Sequence, residues 1–518
     1  MRRLLPLALI ALLTACGSTV QVQSTRTAGG GTSLDPGTGG TTTGEALGST
    51  AGTSGGSTGS LATSGTSGTT GGSSGTTTGG STSTSGSAAP GSSSTTGGGT
   101  TGVAKGTVPV KGRGWDAKTV YIGVVTQNDA QKAFATVGAN VDPGDTTAQA
   151  NAMVARINKA GGILGRQVKI RFKDVATIAT ATNPTAAGSS VCTYFTQDAP
   201  VIAVVSIVTL MDYPNFRTCL ARNKVPLFSA TVKTVDDVAA KALAPFYYQT
   251  IAASWTDVAP LLVSRLKAQG WFGGWNAQLG AAGSGKARVG VLVDGTDVGT
   301  RVGKLLKGLI TRAGYETFVY QYADASEGQS KSVSYFSGNR VTHVIVTDVE
   351  LTAFQSSAGS QNYKPRFGIT TYNDPYSNLE NSGLTPPSAN NGAMGIGWAP
   401  NFDVSPANDP GKSPGAAACN KAMAANGQSF SGKRLAQAIA YSFCDSMQLI
   451  ADGANKGNGF TGEAIAAGIV ASRSGFAVAN GFSAALTPNK RFVSGTARDL
   501  AWVSSCSCFR YGAAITPL

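Results

Sequence analysis

The chain has 518 residues, of which 41 are Lys or Arg, 27 are Asp or Glu and one is His, giving a formal net charge of +14. The lone histidine, His343, removes the usual partner ligand of a zinc site, and no cysteine spacing makes a zinc pattern, so neither a metal nor another cofactor is expected. No basic stretch is interleaved with aromatics, which argues against nucleic-acid binding, and past the first residues no apolar run approaches the ~18 needed for a transmembrane helix.

At the start, Arg2 and Arg3 precede an apolar run, Leu4 to Leu13, broken only by Pro6, and the small residues Thr14 and Ala15 follow. A charged head, a short apolar core and a small-residue cleavage site mark residues 1–15 as an export signal. Leu13-Thr14-Ala15-Cys16 resembles the bacterial lipobox, which implies acylation of Cys16 and an extracytoplasmic protein anchored to the cell membrane by lipid. In that oxidising setting the six other cysteines can pair. Their connectivity is open; local pairing, Cys192 with Cys219, Cys419 with Cys444 and Cys506 with Cys508, is the simplest, although the last closes a very tight ring.

Residues 16–104 are Gly, Ser and Thr with almost nothing apolar, so they cannot offset the entropy of ordering and should form a disordered linker. Such a coil has an r.m.s. reach of roughly 50 Å and a fully extended length on the order of 300 Å. Setting aside Arg2, Arg3 and Arg26 from the 41 basic residues, and Asp35 and Glu45 from the 27 acidic ones, leaves +13 from Lys105 onward. That sign favours anionic neighbours such as wall polymers or phosphate head groups, or simply keeps a large surface soluble.

From Thr119 the texture changes. Val120–Val125 is an apolar run of strand length. Residues 146–160 carry Ala150, Met153, Val154 and Ile157 at helical spacing, and Gly161-Gly162 stops that helix. A strand over 168–172, a helix over 185–195, a strand over 201–205, a helix over 212–222 and a strand over 225–228 follow. Trp255 opens a further helix. The Gly-rich stretch from Trp271 to Lys286 is a surface insert whose tryptophans either form a partner surface or fold back. Then come a strand over 289–293, a helix over 302–312, and strands over 317–320, 343–347, 367–370 and 394–397. His343 starts one of these strands and is structural. Short apolar strands alternating with helices predict parallel sheets covered on both faces, and the length predicts two lobes.

The stretch Ile157-Asn158-Lys159-Ala160-Gly161-Gly162-Ile163-Leu164-Gly165-Arg166 resembles the helix–turn–strand signature of the type I periplasmic-binding-protein family, in its branched-chain amino-acid-binding branch. Val201–Ser206, Val225–Thr231, Asp294–Gly299 and Ala440–Asp445 with Leu449–Ala451 resemble later family segments in the right order. The spacing of Cys192 and Cys219 resembles the family's first-lobe disulfide. The resemblance implies an α/β fold of two doubly wound parallel-sheet lobes joined by a hinge. It places 118–251 with 372–470 in the first lobe and 252–371 with 471–518 in the second.

It also implies a small-molecule ligand held by hydroxyls and amides at strand ends. Here these are Ser206, Thr209, Ser229, Ala230 and Thr231, each weighed against simple helix capping. Tyr372 and Asn373 are further candidates, as is Trp398, which serves equally well as a core or hinge aromatic. Two departures stand against a branched-chain amino acid. Val298 occupies the place of a ligand aromatic, and no acid follows strand 367–370 until Asp374. Enzyme readings find no support, since no G-x-S-x-G elbow is followed by a usable histidine and Gly161-Gly162-x-x-Gly165 ends a helix rather than opening one. The leading expectation is a solute-binding lipoprotein for an ABC permease, taking an amino acid, amide, short peptide or aromatic acid. The alternatives are a surface receptor or sensor on the same fold without a transporter, and a structural or adhesive wall protein.

Overall fold

The computed structural model describes residues 108–136, 141–322, 325–348, 351–380, 385–472 and 475–518. The expected export signal 1–15, the expected acylation site Cys16 and the segment 16–104 lie outside the described residues.

The apolar run at 120–125 becomes β1 (Thr119–Thr126), buried along nearly its whole length. With β2 (Gln167–Asp174), β3 (Val204–Ser206), β4 (Leu227–Ser229) and β5 (Tyr247–Gln249) it forms a parallel sheet in the order β2-β1-β3-β4-β5. The chain steps outward from β1 in both directions, so β1 and β3 flank the switch point where such sheets leave a crevice. The second sheet repeats this winding. β6 (Arg288–Asp294), β7 (Glu316–Tyr322), β8 (His343–Val346), β9 (Arg366–Thr370) and β10 (Met394–Gly397) are parallel, in the order β7-β6-β8-β9-β10. An antiparallel pair, β11 (Thr496–Val503) and β12 (Cys508–Pro517), extends it beside β10. Strand alternation divides the core. Val289, Val291, Val293 and Ile345 face one apolar cluster, while Leu292, Val344 and Val346 face another with Phe336 and Phe354.

The signature around Gly161-Gly162 has a direct physical basis. Asp145 caps helix α1 (Thr146–Lys159) by accepting from Ala148 N at 2.8 Å. At the other end Gly162 N returns to Ile157 O at 3.0 Å. Gly162 has φ +75°, and a Cβ there would lie 2.0 Å from Arg166 O, so only glycine fits. Asn158 then ties the helix to β2, donating to Val168 O at 3.0 Å and accepting from Val168 N at 2.7 Å.

Disulfide Cys192–Cys219 joins helix α2 (Pro184–Thr193) to α3 (Pro214–Arg222). Cys419–Cys444 joins α8 (Pro414–Ala424) to α9 (Arg434–Lys456), and Cys506–Cys508 sits in the turn between β11 and β12. The second lobe's helices are α4 (Trp255–Ala268), α5 (Asp297–Arg312), α6 (Ala325–Gly338) and α7 (Leu351–Ser360).

Several boundaries need correction. Residues 372–470 do not all belong to the first lobe, because β10 pairs with β9 and β11 in the second sheet. Gly395 makes this possible, since a Cβ there would lie 1.7 Å from Ile369 O. Conversely, within 471–518, Arg491 O accepts from Gln249 N and Val493 N donates to Gln249 O, both at 2.9 Å, so that segment lines the edge of the first sheet. The insert from Trp271 folds back. Trp271 is fully buried, donates to Phe367 O at 2.9 Å and meets the His343 ring edge-on at 4.7 Å.

Candidate functional site

A small cavity lies at the switch point of the first sheet. Gln127 approaches it from the end of β1, Ile207, Val208 and Thr209 from the end of β3, and Ala230, Thr231 and Val232 from the end of β4. Ile251 of the first crossover, Phe402 of the return crossover, and Leu435, Ile439 and Ser442 of α9 close it. Its free volume of ≈ 30 Å³ holds the centres of about two waters.

Of the residues expected to bind ligand, Thr209, Ala230 and Thr231 line this cavity, whereas Ser206 and Ser229 do not. Ser206 Oγ accepts from Val208 N at 3.4 Å, inside the turn that ends β3. Ser229 and Thr231 donate instead to Asp212, at 2.7 and 2.9 Å. That carboxylate also receives Gln249 Nε2 at 3.2 Å, the Tyr247 hydroxyl at 3.3 Å and Arg217 Nε at 2.5 Å, all fully buried. Burial pushes the Asp212 carboxyl up, but the Arg217 charge and the hydroxyl donors outweigh it and hold the group below the ordinary carboxylate range. The same pairing holds Arg217 above its ordinary value against the opposing effect of burial.

Tyr372, Asn373 and Trp398 do not line the cavity, and each makes hydrogen bonds within the protein. Trp398 Nε1 donates to Ile251 O at 2.9 Å, and the Tyr372 hydroxyl donates to Ala253 O. Tyr372 stacks on Trp255 at 5.2 Å and meets Trp398 edge-on at 5.5 Å. These three buried aromatics clamp the first crossover. Asn373 Nδ2 donates to Val346 O at 2.9 Å and Asp348 O at 2.7 Å, fixing the loop after β8. Asp374 is buried in the left-handed region at φ 44° and does not line the cavity.

The charged groups between the lobes went unread in the sequence. Lys233, just past the end of β4, reaches across to the second sheet. Its Nζ lies 2.9 Å from Asp348 Oδ2 beyond β8 and 3.4 Å from Asp294 Oδ2 at the end of β6. All three side chains are less than one-tenth exposed. Burial alone would lower the Lys233 pKa, but Asp348 and Asp294 outweigh it and hold the ammonium above its ordinary range. Thr234 Oγ1 donates to Thr347 O at 3.0 Å, and Arg301 on α5 grips Asp236 with contacts of 2.6 and 2.9 Å. A lysine four residues past Ser229, at the end of an apolar strand, was the signal available. Asp294 opened a segment already matched to the family, but nothing local tied the two together.

No family model matches the sequence, and no curated protein matches it. Solved structures do. The leucine-binding protein of Thermotoga maritima superposes with a TM-score of 0.54 at 14% identity, covering 76% of this chain and 98% of that one. A substrate-binding periplasmic protein of Ralstonia solanacearum gives 0.53 at 14% identity, over 76% of this chain and 100% of that one. A branched-chain amino acid ABC transporter protein of Thermus thermophilus with bound valine gives 0.51 at 12% identity, over 77% and 96%. Two lobes of like winding, connected through a clamped crossover, and superposition over 96–100% of the length of these proteins establish that the chain has the type I periplasmic-binding fold.

Proposed function

We propose that this chain is a lipid-anchored extracytoplasmic solute-binding protein that takes a small polar organic molecule between its lobes and presents it to an ABC permease. The observation that carries this reading is the cavity at the first sheet's switch point, where this fold class places ligands, with ion pairs joining the two lobes nearby. The similar solved structures described as leucine-binding or valine-bound support a transport role. Lipid at Cys16 and the linker 16–104 would set where the receptor samples its solute.

The test is a thermal-shift screen of the purified chain against amino acids, amides, short peptides and aromatic acids. A ligand at 100 times its dissociation constant adds about 2.7 kcal/mol, an easily measured shift. A silent panel refutes the reading. In cells, Cys16→Ser should release the protein or leave its signal uncleaved without changing ligand affinity. The length of the Gly/Ser/Thr-rich segment favours one other reading, a surface receptor or sensor without a permease, because transport at the membrane needs no such reach.

A further inference from the structure

Five polar side chains line the cavity: Gln127, Thr146, Thr209, Thr231 and Ser442. Three are committed elsewhere. Thr146 Oγ1 donates to Asn128 Oδ1 at 3.2 Å, Thr231 to Asp212 at 2.9 Å, and Ser442 to Ala438 O at 2.9 Å. The side-chain nitrogen of Gln127 and the hydroxyl of Thr209 have no hydrogen-bonding partner, though the two residues are only 6% and 1% exposed. The remaining wall is aliphatic or aromatic, chiefly Ile207, Val208, Ile251, Phe402, Leu435 and Ile439.

Among the described residues, no charged side chain lines the cavity. Around it, Asp212 pairs with Arg217, Asp236 with Arg301, and Lys233 with both Asp294 and Asp348, an excess of one carboxylate that is itself engaged with Lys233 and does not line the cavity. A zwitterion entering here would bury an ammonium and a carboxylate with no counter-charge in the cavity lining for either, a costly desolvation. A neutral head that accepts from Gln127 and shares a hydrogen bond with Thr209 would instead relieve two orphaned groups.

We propose that the solute of this site is a small uncharged molecule, an aliphatic body with a single carbonyl, amide or hydroxyl head seated between Gln127 and Thr209. The proposal rests on the solute-binding reading above. The small volume of the cavity limits the body to a few carbons.

Four probes of equal carbon number separate the charge states: butyramide, butyrate, butylamine and 2-aminobutyrate, each followed by thermal shift and calorimetry on the purified chain. Butyramide alone should bind. Thr209→Val and Gln127→Leu should each weaken it by about five- to tenfold, the effect of one hydrogen bond. Both substitutions remove a buried group that lacks a partner, so the unliganded variants should melt no lower than the parent, which separates lost binding from lost folding. Binding of butyrate, butylamine or 2-aminobutyrate as tight as butyramide overturns the proposal and leaves solute binding standing. Butyramide binding that ignores both substitutions also overturns it. Silence from all four probes overturns it as well, and the solute-binding reading falls only if the wider panel is silent too.

Discussion

Replacing Lys233 with Met keeps most of the unbranched side chain and removes its charge. At an effective dielectric of ~20, the contacts of 2.9 and 3.4 Å correspond to gross attractions of about 6 and about 5 kcal/mol. Taking three ions out of water cancels much of that gain. The variant keeps most of the desolvation cost, because Asp294 and Asp348 stay buried without their cation. The expected loss is therefore about 3–5 kcal/mol, as for other buried pairs deprived of one member. Urea unfolding followed by circular dichroism measures it. The loss should persist in 1 M salt, since buried pairs are poorly screened. Because the pair joins the lobes, small-angle scattering should show a larger radius of gyration for Lys233→Met. Adding Asp294→Asn and Asp348→Asn should recover much of the stability, since the uncompensated charges are then gone. A loss below about 1 kcal/mol with an unchanged radius would refute the reasoning.

Cys192 and Cys219 are 27 residues apart, and a loop of that size gives about 3.5 kcal/mol in the chain-entropy account; replacing both with Ala should lower unfolding stability by that order, and no change would show that the reduced chain is already constrained. Burial raises the carboxyls of Asp403 and Asp445 from the usual 3.8 to about 7 in each case, against the opposing hydrogen bonds they accept. A raised folded pKa means that the contribution is complete below about pH 4 and is lost as pH rises through 7, up to about 4 kcal/mol per group at full effect. Urea midpoints should fall from pH 5 to pH 8, and Asp403→Asn, which fixes that group as neutral, should flatten the slope; an unchanged slope would mean that Asp403 does not titrate in this range.

Regular, local features were the ones the sequence made legible. The apolar run of β1 and the helical spacing of α1 need no partner to be recognised, and Gly162 marks the turn because no residue with a Cβ fits there. Shorter elements escaped. β5 is three residues long, too few for a period to show, and β3 lies at 204–206 rather than 201–205. The helices α6 and α7 are rich in Ser and Gly, residues that favour caps and turns over helix interiors. The pairing β11–β12 depends on β10, more than a hundred positions away in sequence. In the site, residue type was legible but direction was not. Hydroxyls at strand ends suit a ligand and a buried aspartate equally, and only the distance from Ser229 to Asp212 decides between them.

That decision bears on how the cleft works. In a receptor that holds its ligand through charge, strand-end hydroxyls and opposed acids stay open until the solute arrives. Here Ser229 and Thr231 turn toward Asp212, and the second lobe's Asp294 and Asp348 receive an ammonium from the chain itself. The ionic contacts that join the lobes are thus internal, carried by Lys233 and Arg301. A ligand can shift an open–closed equilibrium only by its differential affinity for the two forms. With the ionic contacts already made, that difference falls to a pair of hydrogen bonds and the burial of a few carbons. The solute should then bind weakly to the parent and leave its shape nearly unchanged, whereas in Lys233→Met the same solute should draw the lobes together measurably.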